Sequence, residues 1–321
     1  MDVIALRTLT LTQQQVDRLK KLPLESEISN KESIIYQTDT LPRHKVEKDT
    51  LFKYLHIKDK ESMANKLYTV SMLSDYEATL NIKELVIPRQ LVSVNGQAVG
   101  FTVPQIKDAT NLGVILHDPK VPKEKKLELL RKVGELLNKT ENLEKYGIHF
   151  YFNDLHEYNF LIDNNTEDLY AIDLDSAALN SEYPLASYYM YSNPNLGVAP
   201  NKYKANVFGL TYPDHNSDLF CYNMIVLDTI AGYQVSLLPL EEFYEYTSYL
   251  RDLGFGQNLI DAFNSVYTPA DNKNVANFLD EVPTSMLGQA LYNVFKMKKI
   301  KQNRSSIWKK QYLILNLLGN I

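Results

Sequence analysis

Four oxygen-bearing side chains lie close together in the segment 151–177, YFNDLHEYNFLIDNNTEDLYAIDLDSA. Asp154 and Asn159 precede a short apolar run, and Asp173 and Asp175 follow a second one. An unpaired carboxylate is costly to bury, so we expect these groups to face a cleft, a cation or a partner. Carboxylate and amide oxygens at this spacing suit a divalent cation bound to a polyphosphate, and Mg²⁺ (or Mn²⁺) prefers such ligands.

The same segment predicts a short hairpin. The apolar runs FLID (160–163) and LYAIDLD (169–175) predict two strands, and NNTED between them predicts a polar turn. Asp154 and Asn159 then lie on the loop before the hairpin, and Asp173 lies at the end of its second strand. A simpler arrangement needs no cation: Asp154 and Asn159 cap turns, and Asp173 accepts hydrogen bonds from backbone N–H groups.

The first hundred residues predict an antiparallel sheet of five strands with one inserted helix. The strands are predicted over 24–29, 33–41 and 50–57 and on both sides of Asn95-Gly96. The Asn-Gly pair is the clearest hairpin signal, because both residues tolerate the positive φ angles of a tight turn. The helix is predicted over 60–80, where leucine and valine recur on one face. Residues 1–22 are expected to form an N-terminal extension.

From residue 107 onward the pattern becomes helical. PKEKKLELLRKVGELLNK (122–139) predicts an amphipathic helix, because its apolar residues recur at helical spacing after a first-turn proline. SDLFCYNMIVLDTIAG (217–232) is apolar on nearly all sides, which is typical of a central buried helix. The chain therefore predicts an α+β fold with a β-rich lobe over 1–106, a helical lobe over 107–321, and a cleft between them.

Composition and charge argue against several classes of protein, namely those that bind nucleic acid, bind membranes or contain disulfides. A net charge of −5, from 34 basic and 39 acidic residues, gives no support for binding to nucleic acid or to a membrane surface. The single cysteine, Cys221, cannot form an internal disulfide, which favours a reducing compartment. No apolar stretch reaches about 18 residues, and the first residues lack a signal-peptide pattern. We expect a cytoplasmic protein with neither membrane nor nucleic acid as a partner.

The motifs NDLHEYN (153–159) and AIDLD (171–175) together resemble the catalytic loop and metal motif of protein-kinase-like phosphotransferases. The resemblance implies a bilobal kinase-like fold that binds ATP and Mg²⁺ in its cleft. It assigns the catalytic loop to 152–159, the metal motif to 173–175 and an activation-like segment to 173–218. Asp154 would orient the substrate hydroxyl and accept its proton, while Asn159 and Asp173 would hold the metal.

The resemblance extends to both sides of these motifs. Lys53, on the third predicted strand, takes the position of the phosphate-binding lysine, and Glu77, on the helix that follows, that of its ion-pair partner. Val103 and Gln105 lie in TVPQI (102–106), which is similar to the hinge whose backbone binds adenine. Asp218 is similar to the aspartate that braces the catalytic loop.

Four departures from the family pattern bear on activity. The first hairpin turn, SNKES (29–33), has no glycine, so the phosphate-covering loop is missing or rebuilt. Asn153 replaces the arginine before the catalytic aspartate. His156 takes the place of the catalytic-loop lysine and joins the predicted catalytic residues. Asp175 replaces a glycine, either as a second metal ligand or as a hydrogen-bond partner of the activation-like segment.

Three functions are compatible with this pattern. The leading prediction is transfer of the ATP γ-phosphate to a protein Ser/Thr hydroxyl, because the 173–218 segment is long for a small-molecule kinase. The second is a small-molecule kinase of the alcohol, sugar or aminoglycoside type, which His156 favours. The third is an inactive pseudokinase that acts as a scaffold, which the missing glycines and Asn153 favour.

Overall fold

The structure, a computed structural model, describes residues 8–22, 32–179, 214–235, 238–267, 273–287 and 289–301. The chain is α+β. A mixed sheet occupies the N-terminal part, and helices dominate after residue 111. The predicted first strand, 24–29, lies outside the described residues, as does most of the activation-like segment. None of the helices in the described ranges is long and apolar enough to cross a bilayer.

Within the described residues the N-terminal sheet has six strands, and not the five antiparallel strands expected. They are β1 (Thr8–Leu11), β2 (Lys20–Lys21), β3 (Ser33–Gln37), β4 (Thr50–Leu55), β5 (Gln90–Val94) and β6 (Gln97–Pro104), in the order β1-β5-β6-β4-β3-β2. The hairpin predicted at Asn95-Gly96 is confirmed as the turn between β5 and β6, with positive φ at both residues. Only β1 runs parallel to its neighbour, β5.

The predicted N-terminal extension contributes two of the six strands. Strand β1 adds to β5 at one edge, and β2 pairs with β3 at the other. Leu9 and Leu11 are buried with Phe52 and Val92 on the face of the sheet that α1 (Gln13–Asp17) also covers. This burial is the physical reason for the extra pairing, since both leucines would otherwise remain exposed to water.

Helix α2 (Lys60–Leu80) covers the opposite face of the sheet and has the predicted bounds. It begins at Asp59, whose carboxylate accepts the backbone N–H of Ser62 at 2.7 Å, and ends at Asn81 in the left-handed conformation. Val70 on this helix packs with Leu55 and Phe101 of the sheet. The inner face of the sheet therefore carries both an apolar cluster and, beside it, Lys53.

Two small sheets link the large sheet to the helices. Strand β9 (Phe160–Asp163) pairs with β10 (Leu169–Ala171), which confirms the predicted hairpin, and β7 (Ala109–Asn111) pairs with the other edge of β9. Strand β8 (Phe150–Tyr151) pairs with β11 (Ala178–Leu179). The loop 152–159 and the turn 174–176 thus lie between paired strands that fix both of their ends.

The helical region is built around α4 (Lys123–Asn142) and α5 (His215–Ala231), and both predicted helices are confirmed. Helix α5 is buried on nearly all sides, and its Tyr222 donates a hydrogen bond to the Leu130 carbonyl of α4 at 2.9 Å. The remaining helices are α3 (Leu112–His117), α6 (Leu240–Asp252), α7 (Gln257–Ser265), α8 (Thr284–Leu287) and α9 (291–301).

Candidate active site

Strand β4 places Lys53 on the inner face of the sheet. Lys53 lies opposite Phe101 of β6, and its ammonium group is 5.7 Å from the centre of the Phe101 ring. The side chain is only 7% exposed and forms an ion pair with Asp173, which is 120 positions later in the chain. The ammonium group therefore points toward Asp173 and away from bulk solvent.

Gly100 allows the two strands to approach each other beside Lys53. A Cβ atom at this position would lie 2.0 Å from the carbonyl oxygen of Lys53, closer than any real Cβ contact. Since the obstacle is backbone, it cannot move aside as a flexible side chain would. Gly100 therefore sets the position of the β4 backbone at Lys53.

Asp175 joins two lysines from different elements, and we call this arrangement the lysine bridge. Its Oδ1 is 3.1 Å from the Lys53 ammonium and its Oδ2 is 3.4 Å from the ammonium group of Lys66 on α2. Lys66 also donates a hydrogen bond to the Ser176 hydroxyl at 2.9 Å. Asp175 is 1% exposed. Both of its oxygens therefore face lysines in a buried site.

Glu77 does not pair with Lys53, contrary to the prediction. Its carboxylate forms an ion pair with Arg89, which follows α2 in the chain. Glu77 lies eleven residues beyond Lys66, which is about three turns and about 16 Å along the helix. The two residues share a face of α2, but Lys53 lies beside the turn that carries Lys66. The predicted partner Glu77 therefore lies on the same face of α2 as Lys66, but about three turns too far along the helix to reach Lys53.

Burial and charge together set the protonation of this cluster. Burial disfavours charge on Lys53, but the carboxylates of Asp173 and Asp175 outweigh it and raise the pKa of the ammonium group. Burial also works against the charge of Asp173, yet the Lys53 ammonium holds the pKa of this carboxyl well below its usual range. For Asp175 burial prevails over Lys53 and raises the pKa of the carboxyl to about 6.

Asp218 binds the backbone of the predicted catalytic loop, and we call this contact the loop brace. Its two carboxylate oxygens accept the backbone N–H groups of Phe152 at 2.7 Å and of Asn153 at 3.1 Å. Asn153 itself has a positive φ of 60° and donates through Nδ2 to the Ser176 carbonyl at 3.0 Å. Burial raises the pKa of Asp218 to about 7, against the pull of the two N–H donors.

The loop presents Asp154, His156 and Asn159 beside this cluster. Oδ1 of Asp154 is buried and accepts no hydrogen bond from the described residues; the Nε2 atom of His156 lies 3.8 Å from it. Burial raises the pKa of Asp154, and the charge of His156 opposes that effect. Asn159 donates through Nδ2 to the Asp154 carbonyl at 2.9 Å, which leaves its Oδ1 for another partner.

A search of protein-family models and of curated proteins found no match to this chain.

The geometry is compatible with a divalent cation at Asn159 and Asp173. The Asn159 carbonyl accepts the N–H of Ile172, so the two predicted ligands are held next to each other. Asp173 has a φ of 62°, a strained conformation for a non-glycine residue that is frequent at functional sites. In the described part of the chain no three His, Cys, Asp or Glu side chains converge on one point. Phosphate oxygens and water would have to complete the coordination of Mg²⁺.

Some backbone groups of the residues predicted to contact adenine already have partners within the protein. The backbone N–H of Gln105 donates to the Asp49 carbonyl at 2.8 Å, so it is already engaged. Pro104, beside it, has no N–H. Val103 packs against the apolar cluster of Phe101 on the same face as Lys53. Gln105 therefore offers adenine its backbone carbonyl or its side chain, and the predicted backbone contact stays a prediction.

Within the predicted activation-like segment, the structure describes residues 173–179 and 214–218, and the rest lies outside the described residues.

Three further residues contribute to the site and were not predicted from the sequence: Lys66, Gly100 and Arg89. Their signals in the sequence are weak. A lysine on a helix is usually solvated, and a glycine in a strand indicates close approach without naming the neighbour.

Proposed function

We propose that this chain has a bilobal protein-kinase-like fold and transfers the γ-phosphate of ATP to a hydroxyl group. One observation carries the proposal. Lys53 from β4 forms an ion pair with Asp173, which is 120 positions later, and the loop of Asp154 is held beside Asp173 by the hydrogen bond from the Ile172 N–H to the Asn159 carbonyl. Lys53 lies on the third strand counted from β2, the position of the phosphate-binding lysine in kinases. Turn-capping roles alone do not explain this convergence.

Asp154 is suited to accept the proton of the attacking hydroxyl. Its Oδ1 is a buried acceptor without a donor among the described residues, and such a group is costly unless a ligand supplies the donor. The Nδ1 atom of His156 accepts the N–H of Tyr158 at 3.2 Å. In the neutral ring the proton is therefore on Nε2, the atom that faces Asp154. When the ring is protonated, its charge lies 3.8 Å from Asp154 and favours the ionised carboxylate.

The transfer step uses these groups as follows. The substrate oxygen forms a bond to the γ-phosphorus while the bond between this phosphorus and the β,γ-bridging oxygen breaks, and the hydroxyl proton passes to Asp154. Lys53 places positive charge beside the phosphates, where negative charge develops. Asn159 and Asp173 would hold Mg²⁺, which when bound neutralises the β- and γ-phosphate oxygens.

We propose a protein Ser/Thr hydroxyl as the acceptor and the cytoplasm as the compartment. The length of the 173–218 segment supports a protein acceptor. A small hydroxyl compound is the second candidate, because His156 is 35% exposed beside Asp154 and offers a hydrogen bond to a small polar substrate. The Asp154 oxygen that has no donor within the described ranges supports catalysis over a purely scaffolding pseudokinase role.

Asp154→Asn tests the catalytic assignment, because it preserves shape and removes the proton-accepting charge. ATP binding should persist, while transfer to a mixed protein extract or to a panel of alcohols should fall by about 10² or more. Asp75→Asn, an exposed carboxylate on α2, is the matched control. Transfer at the wild-type rate by Asp154→Asn would refute the role of Asp154.

Asp173→Ala tests the metal site. Ligand binding stabilises a protein by mass action, so ATP with Mg²⁺ should raise the melting temperature of the wild type more than ATP with EDTA. In Asp173→Ala the difference between these two shifts should disappear. Equal shifts with and without metal in the wild type would contradict the assignment of Asn159 and Asp173.

A further inference from the structure

The α2 side chain that contacts the site is a lysine, Lys66, and not an acid. The Lys66 side chain is 12% exposed, and its ammonium group contacts Asp175 and Ser176 and is 3.8 Å from Glu32. The nearest acid on the same face toward the end of the helix is Glu77, which is paired with Arg89. The charge on α2 at this point is therefore positive, opposite to that of the glutamate expected there.

Lys53 needs an acid that remains available during the reaction. Asp173 contacts it now, but the same carboxylate is the proposed ligand of the metal. A carboxylate that coordinates Mg²⁺ gives much of its charge to the cation, so it holds a lysine less strongly. Asp175 has no such second role, because it is 1% exposed and its oxygens already face two lysines.

We infer that Asp175 is the positioning residue of Lys53 and that Lys66 anchors α2 to it, so that the lysine bridge replaces the ion pair between strand lysine and helix glutamate. The inference rests on the proposed function and names the groups that align its phosphate-binding lysine. Charge-assisted hydrogen bonds are the stronger ones in proteins, and both contacts of Asp175 are of this kind. The anchor of Lys53 then belongs to the metal motif itself.

The affinity ratio between ATP and adenosine tests this role. Lys53 contacts phosphates, so a misplaced Lys53 weakens ATP binding and leaves adenosine binding unchanged, whereas general damage to the fold weakens both. With Mg²⁺ present, Asp175→Asn should lower the ratio by about tenfold or more. In EDTA the loss should be smaller, because Asp173 is then free to hold Lys53. Both affinities are measured by calorimetry on the full chain.

Two further variants complete the test. Lys66→Met, which leaves the Lys53–Asp175 contact in place, should lower the ratio less than Asp175→Asn does and still provides a result if that variant fails to fold. Asp75→Asn should match the wild type. An unchanged ratio in Asp175→Asn and Lys66→Met would overturn the inference. So would a loss in Glu77→Gln without one in Asp175→Asn. A wild type that binds no ATP would instead refute the proposed function.

Discussion

Asp175 and Asp218 are buried to nearly the same degree, at 1% and 2% exposure, but the molecule compensates them differently. The loop brace uses two backbone N–H groups, whose positions are fixed by the chain. The lysine bridge uses two ammonium groups on flexible side chains. An ammonium group can change partners by rotating its side chain, whereas a backbone donor moves only with its loop. The first arrangement preserves a shape, and the second can redistribute charge when a ligand arrives.

Of the variants that probe these two arrangements, Lys53→Met should lose the most stability. Lys53→Met leaves Asp173 and Asp175 without their shared cation, and breaking a buried pair costs about 3–5 kcal/mol. Without the lysine both carboxyls gain pKa values above those of the unfolded chain. Stability then falls as pH rises, so the loss should be greater at pH 8 than at pH 5. Urea denaturation at the two pH values measures it.

The double variant Lys53→Met/Asp175→Asn is the control for that experiment. It removes one of the two uncompensated carboxylates, so it should be more stable at pH 8 than Lys53→Met alone. If the double variant is less stable, Lys53 stabilises the fold by its packing on Phe101 and not by its charge.

Asp218→Ala should have the next largest effect, because it leaves the N–H groups of Phe152 and Asn153 buried without an acceptor. Each such donor costs about 1–3 kcal/mol, which gives a total of about 2–6 kcal/mol for the two. Among the described residues, Asp228→Ala on the same helix removes the acceptor of the Val235 N–H group, at 2.7 Å. Its loss in urea denaturation should be about half as large. Equal losses would mean that the two contacts of the loop brace do not act separately.

His156→Gln should change the pH dependence of transfer with little effect on stability. Asp154 must be ionised to accept a proton, and burial raises its pKa, so transfer should increase with pH over a range above that of an ordinary carboxyl. The charge of His156 lowers this pKa, and its removal should therefore shift the rising limb to higher pH. Initial rates between pH 4 and 8 measure the shift. A rising limb that moves to lower pH in His156→Gln would contradict the effect of His156 on the pKa of Asp154.

Glu77→Gln should have the smallest effect. Glu77 and Arg89 are 39% and 35% exposed, and ion pairs this accessible contribute about 0.2–1 kcal/mol. The loss in urea denaturation should shrink further at high salt, because exposed charges are screened. A loss as large as that of Lys53→Met would show that Glu77 has a partner inside the site.

Local sequence patterns predicted elements well and partners poorly. Helix α2 has the predicted bounds because capping and apolar spacing are local properties, and the Asn95-Gly96 turn is fixed by two residues. The parallel pairing of β1 with β5 depends on contacts 83 positions apart, which no local pattern contains. The partner of Lys53 was misassigned for a similar reason. Spacing gives the face of a helix, but only packing decides which turn lies over the sheet.

The same applies within the site. Asp218 could be placed because the start of its apolar helix resembles the kinase helix whose aspartate braces the catalytic loop. Asp175 could be singled out but not explained, because Lys66 on α2 carries no signal that distinguishes it from a solvated lysine. The convergence of Lys53 on Asp173 was predicted from the order of the motifs, and the strand register confirms the direction of the side chain.

The parallel strand β1 also has a consequence for synthesis on the ribosome. Thr10 of β1 and Ser93 of β5 share a hydrogen bond of 3.2 Å although 83 positions separate them. At 5–20 residues per second, the nascent chain therefore carries β1 for roughly 4–17 s before its partner strand exists. During that interval Leu9 and Leu11 have no sheet to cover. The first strand to emerge is among the last to pair, and a chaperone that binds short apolar segments would find it there.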